Sequence, residues 1–327
     1  MTLCCVRAAL LAVIAGAGFP AHAQTYPERP IRMIVSIAPG SVTDVIMRAA
    51  ANELSPRLGA QLVIENKGGA SGIPAAQACA TAPPDGYTLC VIYHNTLSFN
   101  PLLFNKLPYE PDDLVPIARL FFLIEALAVT PSLDVGSAAD LKRLAQAKPT
   151  AFNYGTLGPG SAPELLLKWL NNQWGTGIVG VPYRGGGPIA QALAAGDIQI
   201  GNMGLGNFVA LAQAGKLKLV AVMADQRSAL VPDVPTFAEA GLDGYRWRGW
   251  WGLAAPKGTP KRIVERVSAE FTKLFKEPGF VAFLDKQAVV SAPTSPEEFS
   301  AFVQQDRKTA ETLIHLANTP RTDYKPE

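Results

Sequence analysis

Five glycine-bearing loops are the segments of this sequence best suited to chemistry, and the chemistry they suit is the binding of an anion. A turn from a buried strand into a helix leaves backbone N–H groups free at the helix N-terminus, where the helix dipole also favours negative charge. The first loop follows the apolar run at 34–38, and its candidate ligand contacts are Pro39, Gly40, Ser41, Thr43 and Asp44. Instead of contacting a ligand, Ser41 or Thr43 could be the N-cap of the helix that follows. Asp44 could likewise be a first-turn acid that the helix dipole favours.

The other four loops lie at 68–72, 155–161, 183–188 and 204–207. Candidate ligand contacts in or beside them are Thr156, Gly158, Gly160, Ser161, Glu164, Tyr183, Arg184, Gly185, Gly186, Asn202 and Asn207. Arg184 precedes three glycines and is suited to a bidentate contact with a carboxylate, although a solvated surface arginine is the alternative. A single glycine at such a turn usually serves backbone geometry alone, whereas several loops at the carboxyl ends of strands predict one shared ligand crevice.

A polar segment formed by His94, Asn95 and Thr96 follows the apolar run at 87–93. Its place after a strand predicts a binding loop, with an ordinary turn and a catalytic group as alternatives. The catalytic alternative is an exported hydrolase or isomerase that uses His94 with Ser98, or Glu164 as a base. The chain contains no Gly-x-Ser-x-Gly elbow, Gly-x-Gly-x-x-Gly loop, Gly-Lys-Ser/Thr loop or His-Glu-x-x-His motif. We therefore expect no catalytic residue, metal or cofactor.

The elements that must position these loops alternate in the manner of an α/β fold. Apolar runs of strand length are each followed by an amphipathic segment, over 31–93 and again over 151–223, and the chain becomes mainly helical after 255. This alternation predicts parallel sheets covered by helices. Long apolar or aromatic stretches at 119–130 and 245–255 lie between the two sets, and we interpret them as crossover strands.

Two crossover strands imply two α/β domains with a ligand cleft between them. Domain 1 is then discontinuous, with residues 24–120 and 251–327, and domain 2 comprises residues 121–250. Clefts between domains are common ligand sites. A single large sheet without a hinge is the alternative.

The first 23 residues predict export from the cytoplasm. They carry one charge, Arg7, then an apolar run at 8–19 and the small-residue pattern Ala21-His22-Ala23. These are the features of a secretory signal peptide. The run is shorter than the roughly 20 residues that span a bilayer. We therefore predict that the segment 1–23 is cleaved after Ala23.

The charge balance and the cysteines bear on which partners the protein can bind and on the compartment in which it folds. Lys and Arg number 29 against 27 for Asp and Glu, a formal net charge of +2. Such a small excess argues against nonspecific binding to nucleic-acid phosphates. Cys79 and Cys90 remain after cleavage. In an oxidising compartment they could form a disulfide, and two buried thiols are the alternative.

Characteristic motifs run in order along nearly the whole mature chain. They begin with residues 26–32 and the loop at 38–44. Further segments follow, and they are 63–70, 84–89, 153–155 with 158–161, 181–186, 214–217 and 231–236. Together these segments resemble one family, the Bug-type solute-binding proteins of tripartite tricarboxylate transporters, with residues 26–32 similar to the opening of the family and residues 38–44 similar to its Pro-Gly-Gly-x-x-Asp loop. So many matches in one order are specific to the family.

The resemblance implies a type II-like periplasmic binding protein of two α/β lobes. Such a protein closes on a small organic carboxylate, which backbone amides and ordered water largely hold, and delivers it to the membrane subunits of a tripartite tricarboxylate transporter. The resemblance also implies a monomer in the periplasm. A sensory module that docks on a membrane receptor is an alternative, because either partner would recognise the same closed form.

Three departures from the family pattern bear on the ligand. Gly40-Ser41 stands where the family usually has two glycines, Glu164 lies just after Gly160-Ser161 where a histidine is common, and Asn202-Met203 replaces a frequent Asp. An acid at 164 would disfavour a carboxylate unless it is protonated or points away. The sequence therefore leaves a dicarboxylate, an amino acid, an aromatic acid and an amide all open as ligands.

Overall fold

The computed structural model describes residues 26–245 and 247–325. The predicted signal peptide at 1–23 and its cleavage site after Ala23 lie outside these residues. Within the described part of the chain, no helix is both long enough and apolar enough to cross a membrane.

The first segment of the described chain alternates strands and helices as the apolar pattern predicts. Its elements are β1 (Ile31–Val35), α1 (Val42–Leu58), β2 (Leu62–Asn66), α2 (Ile73–Ala80), β3 (Thr88–Tyr93), α3 (Asn100–Leu103) and β4 (Leu114–Leu123). Ser41 is the N-cap of α1, and its Oγ accepts a hydrogen bond from the backbone N of Asp44. Gly59 ends the helix with φ of 80°, a conformation that glycine adopts without a steric penalty.

The middle segment repeats the alternation. Its elements are β5 (Glu125–Val129), α4 (Ala138–Ala147), β6 (Asn153–Thr156), α5 (Ala162–Trp174), β7 (Val179–Pro182), α6 (Gly186–Ala195), β8 (Ile200–Gly204), α7 (Val209–Gln213) and β9 (Lys218–Met223). Left-handed glycines end two of these helices, Gly175 after α5 and Gly196 after α6. The glycine loops at 155–161, 183–188 and 204–207 lie in the turns at the carboxyl ends of β6, β7 and β8 respectively.

The last segment is mainly helical, as expected. It contains β10 (Trp250–Pro256), α8 (Lys261–Leu274), α9 (Pro278–Lys286), β11 (Val289–Ser291) and α10 (Pro296–Leu316). A capping box begins α10, because Ser295 Oγ accepts from the backbone N of Glu298 while the Glu298 carboxylate accepts from the backbone N of Ser295.

The strands form two separate sheets, so the alternative of one large sheet is wrong. The first sheet has the order β11-β4-β10-β3-β1-β2, and we call the body around it lobe 1. The second has the order β7-β6-β8-β5-β9, and we call the body around it lobe 2. The two-lobed α/β architecture is confirmed.

The sheets are mixed, and in this respect the expectation of parallel sheets is wrong. β1 pairs in parallel with β2 and β3, and β6 pairs in parallel with β7 and β8. In contrast, β10 is antiparallel to β3 and β4, and β5 is antiparallel to β8 and β9. The reason is that β5 and β10 enter their sheets directly from the other lobe, whereas a parallel pair needs a long connection, usually a helix.

The two predicted crossovers meet at the junction of the lobes. Only Ile124 separates β4 in lobe 1 from β5 in lobe 2, and β10 carries the chain back into lobe 1. The backbone N of Leu123 donates to the carbonyl of Gly249 at 2.8 Å, so the two connections lie side by side. The exact domain limits at 120 and 250 stay a prediction.

One apolar cluster crosses the boundary between the lobes. It contains Phe99 of lobe 1, Trp169 of α5 in lobe 2 and Leu313 of α10. On the same side, Asn172 Nδ2 donates to the carbonyl of Leu316 at 3.0 Å. The lobes are therefore packed together along α5 and α10.

A disulfide joins Cys79 of α2 to Cys90 of β3, with 6.1 Å between their Cα atoms. Both residues are buried. The sequence left open a disulfide or two free thiols, and the structure contains the disulfide. The bond links α2 to β3 within the sheet of lobe 1.

Candidate functional site

The glycine loops of the two lobes meet across the interlobe boundary. Ser71 Oγ donates to the carbonyl of Pro159 at 2.9 Å, and Asn95 Nδ2 donates to the carbonyl of Gly160 at 2.7 Å. A Cβ atom added to Gly185 would lie 3.7 Å from the Cβ of Ala38. Loops from both lobes therefore converge, as a shared ligand crevice requires.

Four helices begin at or just after loops that reach this boundary, and their first turns differ in charge. The first turns of α1 and α5 contain an acid, Asp44 and Glu164 respectively. The first turns of α2 and α6 contain none, and their N-cap residues, Gly72 and Gly185, have no capping side chain. Since the N-terminus of a helix favours anions, α2 and α6 offer uncompensated positive ends.

Asp44 binds its own loop. Its carboxylate accepts from the backbone N of Gly40 at 2.9 Å, from Asn66 Nδ2 at 2.8 Å and from Arg48 Nε at 3.0 Å. Burial by itself would raise the pKa of Asp44, but the hydrogen bonds from Arg48, Gly40 and Asn66 lower it below its usual value. Asp44 is thus ionised and shapes the loop between β1 and α1.

Glu164 repeats this arrangement in lobe 2. Its Oε2 accepts from the backbone N of Gly160 at 2.5 Å, and Lys168 lies 3.5 Å from its Oε1. The acid that stands where a histidine was expected therefore points back at the loop before α5. The same loop is also held by Ser161 Oγ, which donates to the carbonyl of Gly158, and by Thr156 Oγ1, which accepts from the backbone N of Gly158.

The loop before α2 has an unusual backbone. Ala70 and Ser71 have φ of 40° and 53°, although neither is a glycine, and the flanking Gly69 and Gly72 also have positive φ. Residues that carry a side chain rarely adopt this backbone conformation, and such backbone strain is concentrated at ligand sites. Ser71 was not among the predicted contacts, although its glycine loop was recognised.

A buried polar pair lies near the start of β5. Asn202 Nδ2 donates to Glu125 Oε2 at 2.7 Å, and the two residues are 1% and 6% exposed. Burial raises the pKa of Glu125 to about 7, and the bond from Asn202 only partly opposes this rise. Within the described residues, Asn202 Oδ1 and the hydroxyl of Tyr154 have no hydrogen-bond partner.

His94 is packed among aromatic rings. The centroid of its imidazole lies 4.2 Å from that of Trp247, and Tyr93, Phe99 and Trp250 also contact it edge-on. Burial lowers the pKa of His94 to about 3, so the ring is neutral at physiological pH. This setting suits a packing residue.

Asn95 and Thr96 follow in the same turn, and both are fully buried. Asn95 holds the loop of lobe 2 through Gly160, whereas the carbonyl of Thr96 accepts from the hydroxyl of Tyr109 at 2.8 Å. The polar segment after β3 therefore lies inside the interlobe contact.

The remaining predicted contacts lie closer to the surface. Pro39, Gly40 and Arg184 are exposed, and Tyr183 is half-buried. The other predicted contacts are used by the protein itself. Thr43 is buried, and Gly185 and Gly186 begin α6. Asn207 lies beside Gly186, and its Nδ2 donates to the carbonyl of Gly204.

Sequence reasoning placed Glu125 and Trp247 within the two crossover stretches between the lobes, but it named neither as a site residue. Glu125 had a signal, because it is an acid within the apolar run at 120–129. Trp247 had the signal of an aromatic segment, but its contact with His94 depends on the path of the second crossover. No group of His, Cys, Asp or Glu side chains in the described ranges is arranged to hold a metal ion.

A cavity of about 540 Å³ opens beside the second crossover. Aromatic side chains from both lobes line it, among them Phe122, Phe237, Tyr245 and Phe302. Its lining also includes Trp247, which contacts His94, but it includes no residue of the glycine loops.

Comparison with known proteins gives a family match and close structural relatives. A family model described as "Tripartite tricarboxylate transporter family receptor" matches residues 46–319. The structure titled "R. palustris Rpa4515 with adipate" superposes with a TM-score of 0.87 at 29% identity, and the match covers 91% of this chain and 100% of that one.

Two further structures have the same architecture. The periplasmic binding protein BugD gives a TM-score of 0.85 at 28% identity, covering 91% of this chain and 100% of that one. MatC (Rpa3494) from Rhodopseudomonas palustris, with bound malate, gives 0.82 at 30% identity, covering 88% and 100%.

Proposed function

The chain belongs to the tripartite tricarboxylate transporter receptor family, and from that premise we propose that it captures a small organic carboxylate between its lobes and delivers it to the membrane subunits of such a transporter. As a member of this family it is a solute-binding receptor and not an enzyme. Our proposal adds that it acts as a periplasmic monomer and that its signal peptide is removed after Ala23.

The observation that carries the proposal is the pair of acid-free helix N-termini at the interlobe boundary. α2 begins beside Ser71, which contacts Pro159 of lobe 2, and α6 begins beside Gly185, which approaches Ala38 of lobe 1. Free backbone N–H groups and two helix dipoles can hold a carboxylate there without a buried cation. The exposed Arg184, one residue before Gly185, adds a charge that can pair with it.

Closure of the lobes follows from the same arrangement. The ligand contacts come from both lobes, so a bound solute interacts fully only when the loops meet. A ligand that binds the closed form more tightly than the open form shifts the equilibrium toward closure. The transporter can then distinguish a loaded receptor from an empty one by its shape.

The proposal is tested with the protein exported from the full chain and purified from the periplasm without denaturation. Native mass spectrometry should show a co-purified acid, or thermal-shift screening should show that at least one class of mono-, di- or aromatic carboxylates raises Tm by several degrees through linkage. In Arg184→Ala, carboxylate affinity should fall several-fold while the Tm of the unliganded protein is unchanged. Arg143→Ala, which removes an exposed arginine of α4, is the matched control. A protein that binds no carboxylate would refute the proposal.

A further inference from the structure

We propose that Ser71 is a positioning residue for closure, because its hydroxyl and the amide of Asn95 together hold lobe 1 against one loop of lobe 2. We call these two contacts the interlobe latch. The inference rests on the proposed function and deepens it, since it assigns part of the closing step to the protein's own side chains. The loop that the latch holds comprises residues 158–161, just before α5.

The latch consists of two donors on consecutive carbonyls. Ser71 Oγ donates to the carbonyl of Pro159 at 2.9 Å, and Asn95 Nδ2 donates to the carbonyl of Gly160 at 2.7 Å. The donors come from two different loops of lobe 1, one before α2 and one after β3, and are only 2% and 0% exposed. Each such bond is a net stabilising contact of moderate size. Together they fix a single segment of lobe 2 against lobe 1.

Asn100, at the start of α3, links the two donors within lobe 1. Its side chain is 0% exposed, and its Nδ2 donates to the carbonyl of Ser71 at 3.0 Å. Its Oδ1 accepts from Asn95 Nδ2 at 3.4 Å. Ser71 and Asn95 therefore belong to one hydrogen-bonded network, which presents both donors to lobe 2 at the same time.

The backbone of Ser71 indicates that its hydroxyl has a use. Ser71 has φ of 53° and ψ of 30°, in the left-handed region, and its neighbours Ala70 and Gly72 also have positive φ. A residue with a side chain carries a steric cost in this region that glycine does not. Strain of this kind persists where a compensating contact holds it. The hydrogen bond to Pro159 supplies such a contact.

The loop of lobe 2 is built to be held from the side of lobe 1. A Cβ atom at Gly160 would lie 2.9 Å from Leu103 Cδ1 of α3, so only glycine permits this approach without a shift. Inside lobe 2, Glu164 accepts from the backbone N of Gly160, and Ser161 Oγ donates to the carbonyl of Gly158. The carbonyls of residues 159 and 160 are the groups that bind lobe 1.

Closure then draws on two contributions, the contacts of the solute and the latch. A contact that is present in the closed form and absent from the open form shifts the equilibrium toward closure, with or without a solute. It also lowers the free energy that the solute must supply. Loss of the Ser71 hydroxyl therefore weakens binding and opens the molecule without removing a contact to the solute.

The test compares Ser71→Ala with Ser300→Ala in the protein exported from the full chain. Ser300 is the matched control, because its Oγ also donates to a proline carbonyl at 2.9 Å, that of Pro296, but within α10. Spin labels on Asn52→Cys of α1 and Lys142→Cys of α4, both exposed, report the distance between the lobes by double electron–electron resonance. In Ser71→Ala the distances of the empty protein should shift to longer values, whereas Ser300→Ala should match the wild type.

Isothermal titration gives the second readout, with the carboxylate that raises the Tm of the wild type most. The Kd should rise about three- to tenfold in Ser71→Ala, as expected for the loss of one hydrogen bond, and should not change in Ser300→Ala. Ser71→Gly removes the hydroxyl and the backbone strain together, so its Tm without ligand should exceed that of Ser71→Ala. Both variants should nevertheless show the same rise in Kd and the same opening.

The outcomes separate the latch from the proposed function. Wild-type distances and a wild-type Kd in Ser71→Ala, or an equal change in Ser300→Ala, would overturn the latch and leave the proposed function intact. A Kd in Ser71→Gly that returns to the wild-type value as Tm rises would show that Ser71 acts through stability, which also overturns the latch. If no carboxylate binds the wild type, the proposed function fails, and the distances in the empty protein still decide for or against the latch.

Discussion

At the scale of single residues, the polar side chains of this site mainly hold the protein's own backbone. Asp44 and Glu164 each accept from a loop glycine four residues earlier, and Asn95 holds a carbonyl of the opposite lobe. What they leave for a ligand is backbone N–H groups. Glu125 is different, because it is a buried acid whose one hydrogen bond among the described residues comes from Asn202.

The burial of Glu125 predicts a pH-dependent cost in stability. Its pKa is about 7 in the folded protein against a usual 4.5, so the folded state holds the proton more tightly than the unfolded chain. The stability gained from holding this proton is complete below pH 4.5 and is lost as the pH rises through about 7. At about 1.4 kcal/mol per pKa unit, the loss amounts to roughly 3 kcal/mol.

Glu125→Gln removes this titration, and its amide oxygen can still accept from Asn202. Between pH 5 and pH 8, the free energy of unfolding of the variant should gain roughly 2 to 3 kcal/mol relative to the wild type. Urea unfolding at the two pH values measures the difference. Glu311→Gln, at an exposed position of α10, should show no such trend. Parallel curves for wild type and Glu125→Gln would show that Glu125 does not hold its proton.

At the scale of elements, helix α2 is positioned from both ends. Its N-terminus follows the strained loop of Ala70 and Ser71, and its C-terminal turn is bonded to β3 through Cys79 and Cys90. Since α2 supplies one of the acid-free N-termini, the disulfide also stabilises the geometry that we assign to the carboxylate. The strain of the loop is tolerated only because neighbouring structure holds it in place.

Removal of the disulfide should therefore lower stability. For a loop as short as the one between Cys79 and Cys90, the double variant Cys79→Ala/Cys90→Ala should lose about 2 to 4 kcal/mol of unfolding free energy, chiefly through the greater freedom of its unfolded chain. Urea unfolding followed by circular dichroism measures this loss. Reduction should destabilise the wild type to a similar extent and leave the double variant unaffected. A wild type that is insensitive to reduction would contradict the prediction.

At the scale of the whole molecule, the lobes also touch each other away from the contacts of Ser71 and Asn95. Along α5 and α10 they share an apolar cluster that includes Phe99 and Trp169. Elsewhere, Gly206 of lobe 2 lies so close to lobe 1 that a Cβ atom would come within 2.6 Å of the carbonyl oxygen of Gln287 and 3.0 Å of Val42 Cγ2. Glycine at 206 is thus a condition for this approach.

Gly206→Ala should hinder closure without unfolding either lobe. Overpacking of a close contact costs about 1 to 3 kcal/mol, so the Kd for the carboxylate should rise roughly tenfold or more. Small-angle scattering at saturating ligand should give a larger radius of gyration than for the wild type. Gly279→Ala is the control, because a Cβ atom there meets nothing within 4 Å. Wild-type affinity and radius in Gly206→Ala would refute the need for this contact.

The elements and the fold class could be predicted from the sequence because their signals are local. Apolar periodicity distinguishes strands from helices, caps such as Ser41 and glycines such as Gly59 mark helix ends, and the ordered motifs predict the family. The glycine loops were recognised for the same reason, since a strand-to-helix turn is a short-range feature.

Only the tertiary structure decided what those loops and their neighbours do. The antiparallel direction of β5 and β10 depends on the path of the chain between lobes, which apolar periodicity does not encode. The sequence predicted Glu164 and Asn202 as ligand contacts, but which atoms each leaves unused depends on Gly160 and Glu125. Side-chain direction, burial and partner choice arise from contacts between residues far apart in the chain. For that reason the sequence predicts a receptor of this family, and the packing of the two lobes determines which solute it can accept.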